Sequence, residues 1–374
     1  MSAVDLTAFR RDLHRHPETG FDLPRTAALI ADTLEAAGLQ VARGVGGSGV
    51  VATLARGPDD TALAFRADMD ALPITEATNL PHASTHPGRF HGCGHDGHSA
   101  MLVGAALALA RDPDLTRTIH FIFQPDEENG RGAQAMIADG LFDRFPASAI
   151  FGLHNLPGMP LGHFATRPGP FCAFEDNFEI RLSGRGGHSS MPEAGRDPLV
   201  LGAALVMELQ TIVARNIAPG DHAVVSVTEF LTDGARNVLP STVTLRGDCR
   251  GFRAEVSGTI RTRMTAIAEG LAAAHDAGVE VEYTTSFPPL VNDAAAVARA
   301  AGAASRAGDV DAGHDRVGFS EDFAAFLAHR PGAFLLMGNG TEGAHAMPLH
   351  HPGYDFNDAA LAHGVAFWTE LAKS

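Results

Sequence analysis

The chain has 374 residues, 45% of them apolar, more than the roughly 250–300 residues a single hydrophobic core serves, so two domains are expected. Forty-four acidic against 28 basic residues leave a formal charge of −16, and no segment concentrates Lys or Arg, which argues against a nucleic-acid partner. The longest unbroken apolar or glycine run, residues 100–110, is shorter than the roughly 18–20 residues that span a bilayer, and the N-terminal segment lacks the apolar middle of a signal peptide; a soluble, cytoplasmic protein with no membrane partner is expected.

Taken in chain order, Leu6, Phe9 and Leu13 stand at helical spacing, and a second helix opens at Pro24 and closes at Gly38. Four short apolar runs then end in polar residues: 62–65 before Arg66 and Asp68, 119–123 before Glu127 and Glu128, 149–153 before His154, and 333–337 before Gly338. Helices between such runs predict an open, mostly parallel α/β sheet with its chemistry beyond the strands' carboxyl ends. From about 176 to 286 the pattern changes to strand (Phe178, Ile180 and Leu182 alternating), helix (197–216), two strands (222–230, 242–249), helix (255–277) and strand (279–285). This βαββαβ order predicts a ferredoxin-like α+β insert, with 1–175 and 287–374 forming one discontinuous domain.

The chemistry-bearing residues lie at those strand ends. Cys93 and His95 sit in HGCGHDGH, where glycines let the backbone fold tightly around an ion, and thiolate with imidazole suits Zn, Mn, Co or Ni. The plain alternative is a buried small thiol beside a loop histidine. Glu127 and Glu128 are adjacent, so in extended backbone they point in opposite directions, and one can bind metal while the other serves as a base; a solvated turn is the other reading. His154 and His350 are each equally read as ordinary histidines. Together these residues supply the donors of a paired-metal site. The three cysteines, Cys93, Cys172 and Cys249, are odd in number and far apart, so neither a disulfide framework nor a CxxC zinc pattern is expected.

The segments LHRHPETGF, FRADMDALPI, HGCGHDGHSAML, FQPDEENGRGAQAMI, GLHNLPG, GRGGHSSMP, NVLPSTVTLRGD, EDF and LHHPGYDFND, in this order and over nearly the whole chain, resemble the M20 peptidase family, in its hippurate hydrolase and auxin-conjugate amidohydrolase branch. The resemblance implies a zinc-peptidase-like catalytic domain with two divalent ions (Mn, Zn, Co or Ni) and an inserted lid that dimerises. It implies Cys93, His95, Glu128, His154 and His350 as ligands, with Cys93 bridging, and Glu127 as general base. The substrate implied is a small N-acyl amino acid, hydrolysed at its amide. In the insert, His188 matches a histidine that stabilises the oxyanion, often from the neighbouring subunit. Asn237 is a candidate donor to the substrate carbonyl or carboxylate, and Arg250 a candidate fork to a carboxylate or, alternatively, a structural ion pair. Asp68 is expected to orient a ligand, with Asp70, Asp96 and His98 in similar service.

This chain departs from the family's usual pattern at several positions. Asp126 stands where Ala is common before the EE pair, Asn129 and Arg131 replace small residues, Phe90 replaces Met, and LHH places His351 beside His350; alignment with the following Pro favours His350. A dipeptidase or carboxypeptidase needs similar metals but a different pocket. A non-catalytic acyl-amino-acid binder would have no need of Glu127.

Overall fold

The computed structural model describes residues 4–58 and 61–374. The chain divides into two compact units: one comprises Met1–Phe171, Val291–Asp315 and Asp322–Ser374, the other Cys172–Leu290 and Arg316–Glu321.

The first unit is built on an eight-stranded sheet. Its order is Gln40–Val45, Gly49–Leu54, Ile119–Gln124, Leu63–Asp68, Ala149–Pro157, Gly332–Gly340, His163–Ala165 and Asp309–Asp311. The four strands in the middle run parallel, and antiparallel pairings finish the side that begins at Gln40. Central strands covered on both faces read as continuous apolar runs, and every residue of Leu63–Asp68 and Ile119–Gln124 is buried. Phe65 stacks on Trp368 with ring centroids 4.9 Å apart and meets Phe121 and Phe151 edge-on. Burial of one such side chain stabilises the fold by roughly 1.5–3 kcal/mol.

Register decides what the carboxyl edge presents. Arg66 lies opposite Ile122 on one side and Gly152 on the other. Two residues further on, Asp68, Gln124 and His154 therefore reach the edge at one level. The helix His95–Ala110 starts at the same edge and is buried almost all round, because both the sheet and neighbouring helices pack on it; its apolar residues consequently show no single face.

The second unit has the expected βαββαβ order. Its antiparallel sheet runs Ala223–Thr232, Thr242–Gly251, Phe174–Ser183, Gly278–Phe287, with the first and third strands in chain order at the centre. Leu201, Leu205, Leu209 and Ile212 of helix Pro198–Asn216, with Val256, Ile260, Met264 and Ala268 of helix Ala254–Ala274, cover one face. The latter helix stops short of the expected residue 277, because Asp276 takes a left-handed φ of 56°. Helix Pro198–Asn216 is long and apolar enough by composition to cross a membrane, but its buried stripe packs on the sheet. A small ribbon pairs Gly187–His188 with Val238–Leu239.

Candidate metal centre

Cys93 and His95 flank Gly94, whose φ of 93° caps the helix in a left-handed conformation. A Cβ at residue 94 would lie 2.3 Å from Asn155 Nδ2 and 2.6 Å from Tyr354 Oη, so only glycine fits. His95 donates Nδ1–H to the Asp70 carbonyl at 2.9 Å, which turns Nε2 inward, 3.9 Å from Glu128 Oε1 and 3.8 Å from Asp68 Oδ2. His154 donates Nδ1–H to the Asn155 carbonyl at 2.7 Å and sets Nε2 3.4 Å from Cys93 Sγ. His350, half exposed and with a left-handed φ of 66°, places Nε2 3.4 Å from Glu128 Oε2.

The five predicted ligands thus converge from four separate stretches of chain. Donor atoms of Cys93, Glu128 and His350 lie within 4.8 Å of one another, as do those of His95, Glu127 and Glu128. Two buried atoms in this set, His95 Nε2 and Glu128 Oε1, have no hydrogen-bond partner among the described residues. Buried polar atoms normally find partners, and acceptors that face each other without one fit a cation between them. One thiolate, three imidazoles and a carboxylate suit Zn, Mn, Co or Ni, so the residues present fit the metal pair that the sequence implies.

The crowded donors act on one another's charge. Burial works against a charged His95, yet Asp68, Asp70 and Glu128 hold its pKa up at about 10. Burial lifts Glu128 to about 8, against the pull of His95. Burial and the neighbouring His98 push His154 well below the usual histidine range, leaving its ring neutral, as a ligand must be.

Around these donors other side chains are tied up in hydrogen bonds. Asp68 accepts from His98 Nδ1 at 2.6 Å and from Arg66 Nη1 at 2.7 Å. Burial would raise its pKa, but the charges of His95, His98 and Arg66 bring it well below the carboxylate range. His98 lies as close to His95 and His154 as a ligand would. Its Nε2, however, accepts the Asn155 backbone N–H at 2.9 Å, so both ring nitrogens are engaged. Asp70 joins two of the donors, since its carbonyl takes His95 and its Oδ2 accepts the Glu128 backbone N–H at 3.2 Å.

Three of the residues that depart from the family pattern, Asp126, Asn129 and Arg131, belong to the turn carrying the carboxylate pair. Asp126, buried and left-handed at φ 49°, accepts from Asn129 Nδ2 at 2.6 Å and Arg131 Nε at 2.7 Å. Gly130 N–H closes onto the Glu127 carbonyl at 2.7 Å. His351 is exposed, its Nδ1 accepting from Gly353 N–H at 3.0 Å.

In the second unit the small ribbon sets His188 and Asn237 side by side. Val238 pairs with His188, and Ser189 N–H bonds the Asn237 carbonyl at 3.1 Å. His188 is exposed, and its Nδ1 accepts the Ser190 backbone N–H at 3.2 Å and lies 2.7 Å from the Ser190 hydroxyl. Its ring proton therefore sits on Nε2. Arg250 is engaged at all three guanidinium nitrogens, with Asp248 at 2.7 Å, Ser320 at 2.8 Å and Glu175 at 2.8 Å. Sequence reasoning did not single out Asn155 and Tyr354, although Asn155 adjoins His154 in GLHNLPG.

An α/β domain gathering these donors at the carboxyl edge of its sheet is, by class, a divalent-metal hydrolase. The chain belongs to peptidase family M20/M25/M40, whose sequence profile matches residues 64–374. It is 38% identical over 371 residues to the N-acetyl-L-cysteine deacetylase of Bacillus subtilis, covering 98% of this chain and 87% of that protein. It is 36% identical over 366 residues to the hippurate hydrolase of Campylobacter jejuni, covering 97% and 94%. Among solved structures, a dinuclear metal-binding M20 peptidase from Bacillus subtilis superposes with a TM-score of 0.84 at 34% identity, covering 98% of this chain and 96% of the other.

Proposed function

We propose that the protein hydrolyses the amide bond of small N-acyl amino acids, with two divalent ions held by Cys93, His95, Glu128, His154 and His350. The observation that carries this reading is the meeting of His95 Nε2 and Glu128 Oε1, both buried without a hydrogen-bond partner among the described residues, beside a second carboxylate, Glu127. Ions bound there would polarise an amide carbonyl and acidify a water molecule. Glu127, 6% exposed on its closed turn, takes the proton of the attacking water and returns it to the leaving amine. Asp68, through His98 and Arg66, keeps the charge around His95 in order. His188 offers its Nε2–H to the oxyanion, and Asn237 beside it offers an amide to the substrate carbonyl or carboxylate. Arg250 would meet a substrate carboxylate only by exchanging Glu175, Asp248 or Ser320 for it.

The acyl-amino-acid preference is supported by the relatives, a deacetylase of N-acetylcysteine and a hippurate hydrolase. The second unit serves as lid and dimerisation surface in this reading, because Leu199, Val200, Met207, Phe230 and Leu231 are apolar and exposed there. A reducing cytoplasm suits a thiolate ligand, and none of the three cysteines is in a disulfide.

Hydrolysis of N-acetyl and N-benzoyl amino acids and of dipeptides, with and without Mn, Co, Ni or Zn, tests the assignment. Acylated amino acids are turned over and dipeptides are not; the reverse preference would overturn it. Glu127→Gln retains both metals and loses roughly 10²–10⁴-fold in kcat. Near wild-type turnover in that variant would remove Glu127 from the mechanism.

A further inference from the structure

Asn155 is fully buried, and every polar atom it owns is used. Its backbone N–H donates to His98 Nε2 at 2.9 Å, and its carbonyl accepts from His154 Nδ1 at 2.7 Å. The side-chain Nδ2 donates to the Cys93 carbonyl at 2.6 Å and lies 3.0 Å from His98 Nε2, while Oδ1 accepts from Tyr354 Oη at 2.7 Å. The amide orientation is dictated by its partners. A carbonyl only accepts, so the atom facing Cys93 must be the NH₂ group, and the tyrosine hydroxyl falls to the oxygen.

We propose that Asn155, oriented by Tyr354, is the positioning residue that sets Cys93 and His154 against each other for metal binding. This rests on the reading of those two residues as ligands. The carbonyl bond fixes the backbone of Cys93 just before Gly94, and so the origin of its thiol. The bond from His154 Nδ1 holds the proton on that nitrogen, so Nε2 faces the sulfur at 3.4 Å as an unprotonated nitrogen. Residues 61 positions apart in sequence are thereby set by one side chain and its own backbone. The same residue occupies His98 Nε2, which explains why a histidine crowded among ligands is not one. Partners that orient ligands in this way are typically worth about 10–100-fold in metal affinity.

Asn155→Asp is nearly isosteric but has no NH₂. It faces the Cys93 carbonyl with an oxygen while keeping the acceptor for Tyr354. Titration of the metal-stripped protein with Co(II), followed by visible absorption and by the near-ultraviolet thiolate-to-cobalt band, reads affinity and thiolate ligation together. Asn155→Asp is expected to bind cobalt about 10–100-fold more weakly with a shifted or weakened thiolate band, and Tyr354→Phe to weaken binding to a smaller degree. Wild-type affinity and an unchanged band in Asn155→Asp would overturn the proposal. Urea unfolding of the metal-stripped variants checks that they fold. If Asn155→Asp does not, Tyr354→Phe decides, and wild-type affinity and band in it overturn the proposal. Cys93→Ala separates the two layers of inference: a thiolate band that survives this change refutes the ligand reading, whereas the effect of Asn155 on affinity is still measured.

Discussion

His14 is fully buried on helix Leu6–Arg15, with Nδ1 2.8 Å from Asp96 Oδ2 and Nε2 3.4 Å from Glu76 Oε1. Burial alone would depress its pKa and the nearby Arg10 opposes its charge, but the two carboxylates prevail and raise it from 6.5 to about 9. His82 and His91 also face it, both pushed down, mainly by burial, and so neutral in this range. A raised pKa means that the folded state holds the proton more tightly than the unfolded chain. Below 6.5 both states carry it, and the contribution to stability is complete. As pH rises toward 9 the unfolded chain sheds its proton and the folded one does not, so the contribution falls away through about 9. At about 1.36 kcal/mol per pH unit, the rise corresponds to about 3 kcal/mol. The depressed pKa of Asp96 describes the same pair from the acid side and is not added. Urea unfolding of wild type and His14→Gln at several values between pH 6 and 10 measures it, because subtracting the variant removes the other groups that titrate there. The wild-type advantage should shrink by about 3 kcal/mol across the range. A difference that stays constant with pH would refute the coupling.

Other expectations concern the loop, the strand edge and the ribbon. Gly94→Ala adds a Cβ at 2.3 Å from Asn155 Nδ2 in a left-handed residue, so stability should fall by roughly 2–4 kcal/mol in urea unfolding, with loss of bound metal. Arg66→Met leaves Asp68 and Asp322, both buried, without their shared guanidinium; a loss of about 3–5 kcal/mol is expected, and a loss under 1 kcal/mol would show that the carboxylates are compensated elsewhere. Ser190→Ala removes the hydroxyl 2.7 Å from His188 Nδ1, so kcat should drop about 5-fold with KM little changed, and Ser190→Thr should restore it.

Much of this site is legible before any coordinates because its chemistry is local in sequence. HGCGHDGH carries Cys93 and His95 together with the glycine their approach requires, and adjacent carboxylates announce two different directions. Apolar runs that stop at polar residues disclose a sheet edge, and the alternation near Phe178 distinguishes the antiparallel insert from the buried parallel strands. These inferences need only the periodicity of backbone and the preferences of donor atoms. What the sequence by itself determined is therefore the inventory of donors, the alternation of elements and the family.

The tertiary structure decided how each member of that inventory is partnered. His95 and His98 are three residues apart on one helix and indistinguishable by type, yet one leaves Nε2 bare and the other spends both nitrogens on Asp68 and Asn155. Arg250 suited a substrate carboxylate or a structural ion pair almost equally in sequence, and in the fold it is engaged with Glu175, Asp248 and Ser320. Asn155 and Tyr354 drew no notice, since an amide and a phenol carry no metal chemistry of their own. The reason is physical: a side chain's role is set by where its few hydrogen-bonding atoms are spent, and those partners lie tens to hundreds of residues away along the chain.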